Sequence, residues 1–156
     1  MLNKLKSYNK ASEELVLRAY DYELPVIGKF SFPEIVYMLR ESFKYKLTYR
    51  RVFGENRESL GGGNIFMPSE GFCLVASYYI YQSTGADKEW TLQKNPAHWW
   101  LEHKNISGPF DVTHDQFSTP FPYYLKSAEA RIGKDEGFTE MLREKAMILG
   151  KAAGLE

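Results

Sequence analysis

The sequence contains very little cysteine: Cys73 is the only one among its 156 residues. A lone thiol cannot form an internal disulfide, which agrees with a reducing compartment and leaves the sulfur free for chemistry. A lone cysteine is also, in many proteins, no more than a small buried hydrophobic residue. Cys73 is therefore either a packed core thiol or a reactive one, and the residues around it must distinguish the two.

An excess of charge of either sign is also missing. Lys and Arg together number 20, as do Asp and Glu together, so the formal net charge is zero. No overall field would attract nucleic acid or an anionic membrane. A local basic group, Lys44, Lys46, Arg50 and Arg51, leaves nucleic-acid binding open, but a solvent-exposed strand or helix end is the favoured interpretation. We predict no nucleic-acid partner.

Long apolar runs are absent as well. No stretch approaches the roughly 20 residues that a membrane span needs, and residues 1–6 lack the apolar region of a secretory signal. These absences predict a cytoplasmic protein with no membrane partner. Because the sequence has neither a phosphate-binding loop nor a dinucleotide-binding fingerprint, we also predict no cofactor.

Hydrophobic and aromatic residues are plentiful, at 44% and 15% of the chain. This much apolar material in a chain of this length predicts one globular domain over residues 1–156. The helices and hairpin strands predicted below make its expected fold class α+β. We assign an N-terminal helix and extension to residues 1–30, and a core that ends in a C-terminal helix to residues 31–156. No pattern indicates an oligomeric state.

Capping residues and glycines divide the first half of the chain into elements. Ser12, followed by acidic and apolar residues, predicts a helix that begins there and runs to about residue 23. Ser31, with a glutamate three residues later, has capping-box spacing and predicts the start of a second helix. Residues 45–53 alternate in a way that favours a strand, and residues 54–63, with three consecutive glycines, predict a loop.

Cys73 opens a run of residues that is apolar in every helical direction, Cys-Leu-Val-Ala-Ser-Tyr-Tyr-Ile-Tyr. Ser69 ahead of the run and Gly85 behind it are typical of an N-cap and of a helix stop, which favours a buried helix over a buried strand. Cys73 would then lie at the N-terminus of a central helix. The partial positive charge of a helix N-terminus stabilises a thiolate.

The second half of the chain predicts a hairpin followed by a helix. Residues 97–104 and 109–115 are strand candidates, and the Asn-Ile-Ser-Gly segment between them has turn chemistry. Residues 138–150 predict a C-terminal helix, whose apolar contribution comes from Met141, Leu142, Ile148 and Leu149.

Strand parity connects a histidine with a carboxylate. In an antiparallel hairpin whose loop has an even number of residues, facing residues have numbers that add to an odd value. His98 and Asp111 meet this condition, so we expect them on one face, paired directly or diagonally. Asp111 could then hold the His98 ring in its working tautomer. Asp115 shares that face and becomes the better partner if the turn lies later, and a slip of one residue would separate His98 from both.

The three residue types together suit a thiol nucleophile: Cys73 would attack, His98 would act as the base and Asp111 would orient it. Each also has a structural interpretation, as a core thiol, a hydrogen-bonded strand histidine and a turn carboxylate. His103 and His114 fall on faces opposite to His98 and Asp111 and are predicted bystanders. Because this arrangement scatters the ligand-type side chains, we predict no metal site.

Three strings in this region resemble the small bacterial YunG-like proteins, which are grouped with papain-like and transglutaminase-like thiol folds. They are Gly71-Phe72-Cys73 with the helix behind it, His98-Trp99-Trp100-Leu101-Glu102, and Phe110-Asp111-Val112-Thr113-His114-Asp115-Gln116-Phe117. The similarity runs from the helix near Ser31 to the C-terminal helix, and Asp-x-Thr-x-x-Gln-Phe is its distinctive part. The resemblance implies a Cys-bearing central helix packed on an antiparallel sheet, with Cys73 as nucleophile, His98 as base and Asp111 as orienter.

One departure from the papain-like pattern concerns the oxyanion site. Papain-like enzymes place a glutamine several residues before the cysteine, whereas residues 67–72 contain none. The oxyanion would have to rely on the backbone N–H of Cys73 and on a second donor that the sequence does not identify.

These observations predict a thiol-dependent hydrolase of the peptidase or amidase type, which acts on a protein, peptide or amide-containing substrate through a thioester on Cys73. Two alternatives stay open. A transglutaminase or acyltransferase would use the same residues, and a catalytically silent papain-like binding module would account for the missing glutamine. Four aromatic residues could line a substrate cleft, although core packing or strand pairing is the favoured use: Trp99, Trp100, Tyr123 and Tyr124.

Overall fold

The computed structural model describes residues 2–26, 28–54, 69, 72–117 and 119–156, with side chains from residue 5 onward. Within these residues the chain forms six α-helices and one four-stranded antiparallel sheet, so the α+β prediction is confirmed. None of the described helices combines the length and apolar character needed to cross a membrane. The elements are α1 (Leu2–Ala19), α2 (Phe32–Ser42), α3 (Lys46–Phe53), α4 (Cys73–Ser83), α5 (Ala86–Glu89), β1 (Trp90–Asn95), β2 (His98–His103), β3 (Pro109–Phe110), a 3₁₀ turn (His114–Gln116), β4 (Ser127–Ala128) and α6 (Glu136–Ala152).

The first helix begins well before the predicted start. Tyr8, Leu15 and Ala19 are buried along one side of α1, and this spacing is what an amphipathic helix needs. Ser12 therefore lies inside α1, and the prediction that it caps the helix is wrong. Its hydroxyl donates to the carbonyl of Tyr8 and accepts from Arg40 Nε, so the hydroxyl is used for tertiary bonding instead.

The capping box at the second helix is confirmed. Ser31 Oγ accepts a hydrogen bond from the backbone N–H of Glu34, and Glu34 Oε1 accepts one from the backbone N–H of Ser31. These two bonds satisfy donors that would otherwise lack an intrahelical partner. The helix then buries Ile35, Val36 and Leu39 against the core.

Residues 46–53 form the helix α3, so the predicted strand over residues 45–53 is wrong. Thr48, Tyr49 and Val52 are the buried positions, and their spacing suits one face of a helix rather than alternate sides of a strand. Gly54 ends the helix with a φ of +86°, a backbone conformation that favours glycine. The rest of the predicted loop, residues 55–63, lies outside the described residues.

The predicted central helix is confirmed as α4. Its buried residues lie on several sides, because α4 packs against β1, β2 and α6. The helix ends at Ser83, and Gly85 follows in a left-handed conformation, as a helix stop should. α4 therefore carries Cys73 at its first position into the middle of the fold.

The predicted hairpin is confirmed, although its second strand is shorter than expected. The sheet order is β3, β2, β1, β4, and β2 pairs with β3 through Leu101 opposite Phe110 and Glu102 opposite Pro109. The residue numbers of each pair add to an odd value, which is the parity assumed for His98 and Asp111. β1 is not among the predicted strands, since only two of its residues are buried. It pairs with β2 along its whole length.

The C-terminal helix is confirmed as α6, which packs closely on α4. Asp135 caps it by accepting from the backbone N–H of Phe138, and its buried residues include Leu142, Ala146 and Leu149. At Gly150 the two helices approach so closely that an added Cβ would lie 2.5 Å from Tyr79 Cε2. Glycine is therefore required here by packing, although the backbone itself is helical.

The close approach at Gly150 predicts that Gly150→Ala destabilises the protein. Alanine favours a helix over glycine by about 1 kcal/mol, but relieving the clash with the buried Tyr79 ring should cost roughly 1 to 3 kcal/mol more than that gain. Urea unfolding gives the free energy directly.

Gly137→Ala is the matched control, because it lies in the same helix and its added Cβ would meet only Asp135 Oδ1, at 3.6 Å. That variant should be as stable as the original protein or slightly more stable. If Gly150→Ala behaves like Gly137→Ala, the two helices do not pack as described.

Candidate active site

Cys73 is the first residue of α4 and its thiol is free and half-buried. The N-cap residue is Phe72, which offers no side-chain cap. The prediction that Ser69 caps this helix is wrong, because the Ser69 hydroxyl donates instead to Asp115 Oδ1 at 3.0 Å. Neither Ser69 nor Phe72, the two described residues just ahead of Cys73, caps the N-terminal N–H groups of α4 with its side chain, so the helix dipole can act on the sulfur.

The structure brings His98 and Asp111 into direct contact. His98 is the first residue of β2, and Asp111 follows directly after β3. His98 Nε2 lies 2.6 Å from Asp111 Oδ2, and both residues are almost completely buried. A carboxylate only accepts hydrogen bonds, so Nε2 carries a hydrogen and donates it.

Asp111 is held by three further hydrogen bonds. Its Oδ1 accepts from the backbone N–H of Thr113 at 3.1 Å and from the Thr113 hydroxyl at 3.2 Å. Its Oδ2 also accepts from the Tyr123 hydroxyl at 2.5 Å. Burial raises the pKa of Tyr123, and the charge of Asp111 raises it further, so Tyr123 stays a donor. With four donors around it, the buried carboxylate is fully satisfied and its orientation is fixed.

Gln116 occupies the other nitrogen of the imidazole. Its amide Nε2 lies 3.0 Å from His98 Nδ1 and 3.1 Å from Thr113 Oγ1. Since the Thr113 hydroxyl donates to Asp111, its oxygen accepts from Gln116. A closed ring of hydrogen bonds therefore joins Asp111, Thr113, Gln116 and His98, and this ring accounts for the Asp-x-Thr-x-x-Gln spacing.

The Cys73 side chain is close enough to influence the pKa of His98. Burial, the largest single influence, lowers that pKa, but hydrogen bonds and charge from Asp111 and Cys73 together raise it from 6.5 to about 9. Asp111 binds the Nε2 side of the ring, so Nδ1 is the nitrogen that it leaves open, and the Gln116 amide lies at Nδ1.

Aromatic rings enclose the histidine. Phe117 and Phe121 meet the His98 ring edge to face, with centroids at 4.7 and 4.9 Å, and Trp100 stacks at 5.8 Å. Of the four aromatic residues proposed for a cleft, Trp100 is fully buried, whereas Tyr124 is 81% exposed. Trp100 therefore packs against His98 in the interior rather than lining an open cleft. An apolar surround of this kind strengthens the electrostatic interactions inside it.

Asp115 is not a partner of His98, so that alternative is wrong. Its carboxylate pairs in two-pronged fashion with Arg40, at 2.5 Å from Nη1 and 3.0 Å from Nη2. Arg40 is completely buried and also donates to the carbonyls of Tyr8 and Val112 and to Ser12 Oγ. Asp115 therefore fastens the turn that carries Thr113 and Gln116, and takes no direct part in the contact with His98.

The other two histidines lie apart from this contact. His103 pairs with Glu89 at 3.1 Å and packs against Tyr22 and Trp90 in the main core. His114 lies in the 3₁₀ turn, and its buried Nδ1 has no hydrogen-bond partner among the described residues. Across the part of the chain that the structure describes, no cluster of three or more His, Cys, Asp or Glu side chains could hold a metal ion.

Four residues of this arrangement are not among the predicted site residues: Arg40, Thr113, Gln116 and Tyr123. A signal for Arg40 exists in the sequence, since it falls on the apolar face of α2, four positions after Val36 and three before Phe43. A charged residue there needs a buried partner. Thr113 and Gln116 belong to the distinctive string, but only the structure shows that they close a ring on His98.

Comparison with protein-family models, curated proteins and solved structures finds no match for this chain. The resemblance to YunG-like proteins stays a prediction, as do the roles assigned to Cys73, His98 and Asp111.

The contact with Asp111 predicts that Asp111→Asn lowers the pKa of His98 by at least about one unit, since an opposite charge at this distance typically raises it by 1 to 3 units. The sign follows from the charges: with Asp111 the ring keeps its proton above pH 6.5 and loses it only as the pH rises further. NMR titration of the His98 ring signals measures this. Asp87→Asn, on the exposed α5, should leave the titration unchanged, and an equal effect of both variants would contradict the assignment.

The buried pair predicts that Arg40→Met destabilises the fold by about 3 to 5 kcal/mol, because it leaves the Asp115 carboxylate without its partner. Arg40→Lys keeps a charge but loses the planar contact, so its loss should be intermediate. Arg143 forms an exposed pair with Glu140 at 2.9 Å, and Arg143→Met should change stability by less than about 0.5 kcal/mol. If Arg40→Met and Arg143→Met lower the free energy of unfolding by the same amount, Arg40 does not have this anchoring role.

Proposed function

We propose that this chain is a thiol-dependent hydrolase of the peptidase or amidase type, with a papain-like core and a Cys73, His98, Asp111 triad. The observation that carries the proposal is the buried His98 ring, which binds Asp111 at Nε2 and whose pKa is raised by Asp111 and by Cys73. A nucleophile, a base and a group that orients the base are the parts that covalent acyl transfer needs. The start of α4 adds a helix dipole behind the sulfur.

The reaction begins with a proton transfer. The Cys73 thiol gives its proton to His98 Nδ1, which forms a thiolate and an imidazolium, and Asp111 stabilises the positive ring without taking its proton. The thiolate then attacks the carbonyl carbon of the substrate. A C–S bond forms, and the carbonyl electrons move to oxygen, where the backbone N–H of Cys73 is the proposed donor to the oxyanion.

Two further steps complete the cycle. The tetrahedral intermediate collapses, the C–N or C–O bond breaks, and the leaving group takes the proton of the His98 imidazolium. The thioester on Cys73 is then attacked by water, whose proton passes to His98 and finally to the departing thiolate. An amine in place of this water would make the protein an acyltransferase with the same residues.

The proposal predicts that iodoacetamide alkylates Cys73 at lower pH than it does a free cysteine, whose midpoint lies at about 8.5. His98→Ala removes the ring that stabilises the thiolate, so its alkylation profile should move up toward that of the free residue. Alkylation is followed by mass spectrometry across a pH series.

His114→Ala is the matched control, since His114 lies close by in sequence to Asp111 yet outside the contact with His98. It should leave the profile in place. If the pH profile of Cys73 alkylation equals that of free cysteine and does not change in His98→Ala, the enzyme proposal is wrong and a catalytically silent binding module is favoured.

A further inference from the structure

The hydrogen-bond donors and acceptors around His98 fix the orientation of the Gln116 side chain. Asp111 can only accept, so the Thr113 hydroxyl donates to its Oδ1. The Thr113 oxygen is then left to accept from the Gln116 amide nitrogen, 3.1 Å away. This chain of bonds fixes which end of the amide faces the imidazole.

The same amide nitrogen lies 3.0 Å from His98 Nδ1. An amide NH₂ can only donate, so it requires a lone pair on Nδ1 and matches the neutral ring. A proton arriving at Nδ1 from the thiol would meet this NH₂ group. The amide would then have to turn its oxygen toward Nδ1, and Thr113 would have to turn its hydroxyl away from Asp111, at the cost of one buried hydrogen bond.

We infer that Gln116 is a positioning residue that shifts the balance from the thiolate and imidazolium pair toward the neutral thiol and neutral imidazole, because its donated amide hydrogen bond needs the Nδ1 lone pair of His98. This inference rests on the proposed function, because it concerns the proton shared by Cys73 and His98. Gln116 opposes the thiolate and imidazolium pair, whereas Asp111 favours it. The resting thiol is thereby less exposed to alkylation and oxidation than the triad alone would leave it.

The groups around the ring leave this role to Gln116. Among the described residues, Asp111 and Cys73 are the titratable side chains that act directly on His98, and Tyr123 acts through Asp111. The remaining neighbours, Trp100, Phe117 and Phe121, carry no acceptor for a proton on Nδ1. When a proton arrives at Nδ1 of His98, the Gln116 amide is therefore the polar group that has to change its orientation.

The test compares three residues at position 116 by the pH profile of Cys73 alkylation and by thiolate ultraviolet absorbance. Gln116→Leu removes the donated bond, which should move the midpoint down by roughly 0.5 to 1 pH unit and raise the rate at lower pH about 3- to 10-fold. Gln116→Glu replaces the donor with an acceptor for a proton on Nδ1, so it should move the midpoint further down. A merely structural role would not produce this order.

Gln82→Leu is the matched control, because Gln82 lies nine positions along α4 from Cys73, about 13 Å at the helical rise. It should leave the profile in place. If Gln116→Leu keeps the original midpoint or raises it while His98→Ala still shifts the profile, the role of Gln116 is wrong and the proposed function stands. If His98→Ala has no effect either, both are wrong.

Discussion

The buried guanidinium of Arg40 is the constraint that holds α1, α2 and the turn of the candidate site in their relative positions. It lies on α2 and donates to α1 at the Tyr8 carbonyl and Ser12, and to the turn before the 3₁₀ segment at Val112 and Asp115. Removing a charge from water costs several kcal/mol unless all of its donors are satisfied. The two helices and the turn must therefore be in place together for any of them to be stable there. The guanidinium carbon also lies 3.9 Å from the centroid of the Tyr8 ring, which adds a cation–π contact to the surround of Arg40.

The candidate site inherits its geometry from this anchor. Within the turn, Val112 and Asp115 bind Arg40, while Asp111, Thr113 and Gln116 bind one another and His98. Residues 111–116 thus carry two sets of groups: one set binds Arg40, and the other binds His98. Asp115 also accepts from Ser69, which precedes α4, so the same anchor connects the His98 side of the site with the chain that leads to Cys73.

The sequence allows prediction of the parts of this structure that depend on local signals. The capping box at Ser31, the apolar run of α4 and the turn between β2 and β3 are each contained in a few neighbouring residues, and all three are confirmed. The alternation of polar and apolar residues over 45–53 wrongly predicts a strand, because the burial of Thr48, Tyr49 and Val52 depends on packing against α6, which is distant in sequence. The ring that joins Gln116 to His98 spans 18 positions and two elements, so no local pattern contains it.

The two nitrogens of His98 are held with very different firmness. On the Nε2 side, Asp111 accepts from four donors, one of them Tyr123, and these hydrogen bonds fix the orientation of the carboxylate. The hydrogen on Nε2 therefore stays in the hydrogen bond to Asp111. On the Nδ1 side, the hydrogen bond that the Gln116 amide donates requires the neutral ring, whereas Cys73 raises the pKa of His98 and so favours the charged ring. In a surround of Trp100 and phenylalanine rings, small changes in either partner are weakly screened. The sensitivity of the site to substitution and to pH should therefore be concentrated at Nδ1, because the Nε2 side is held in one arrangement by Asp111 and its donors.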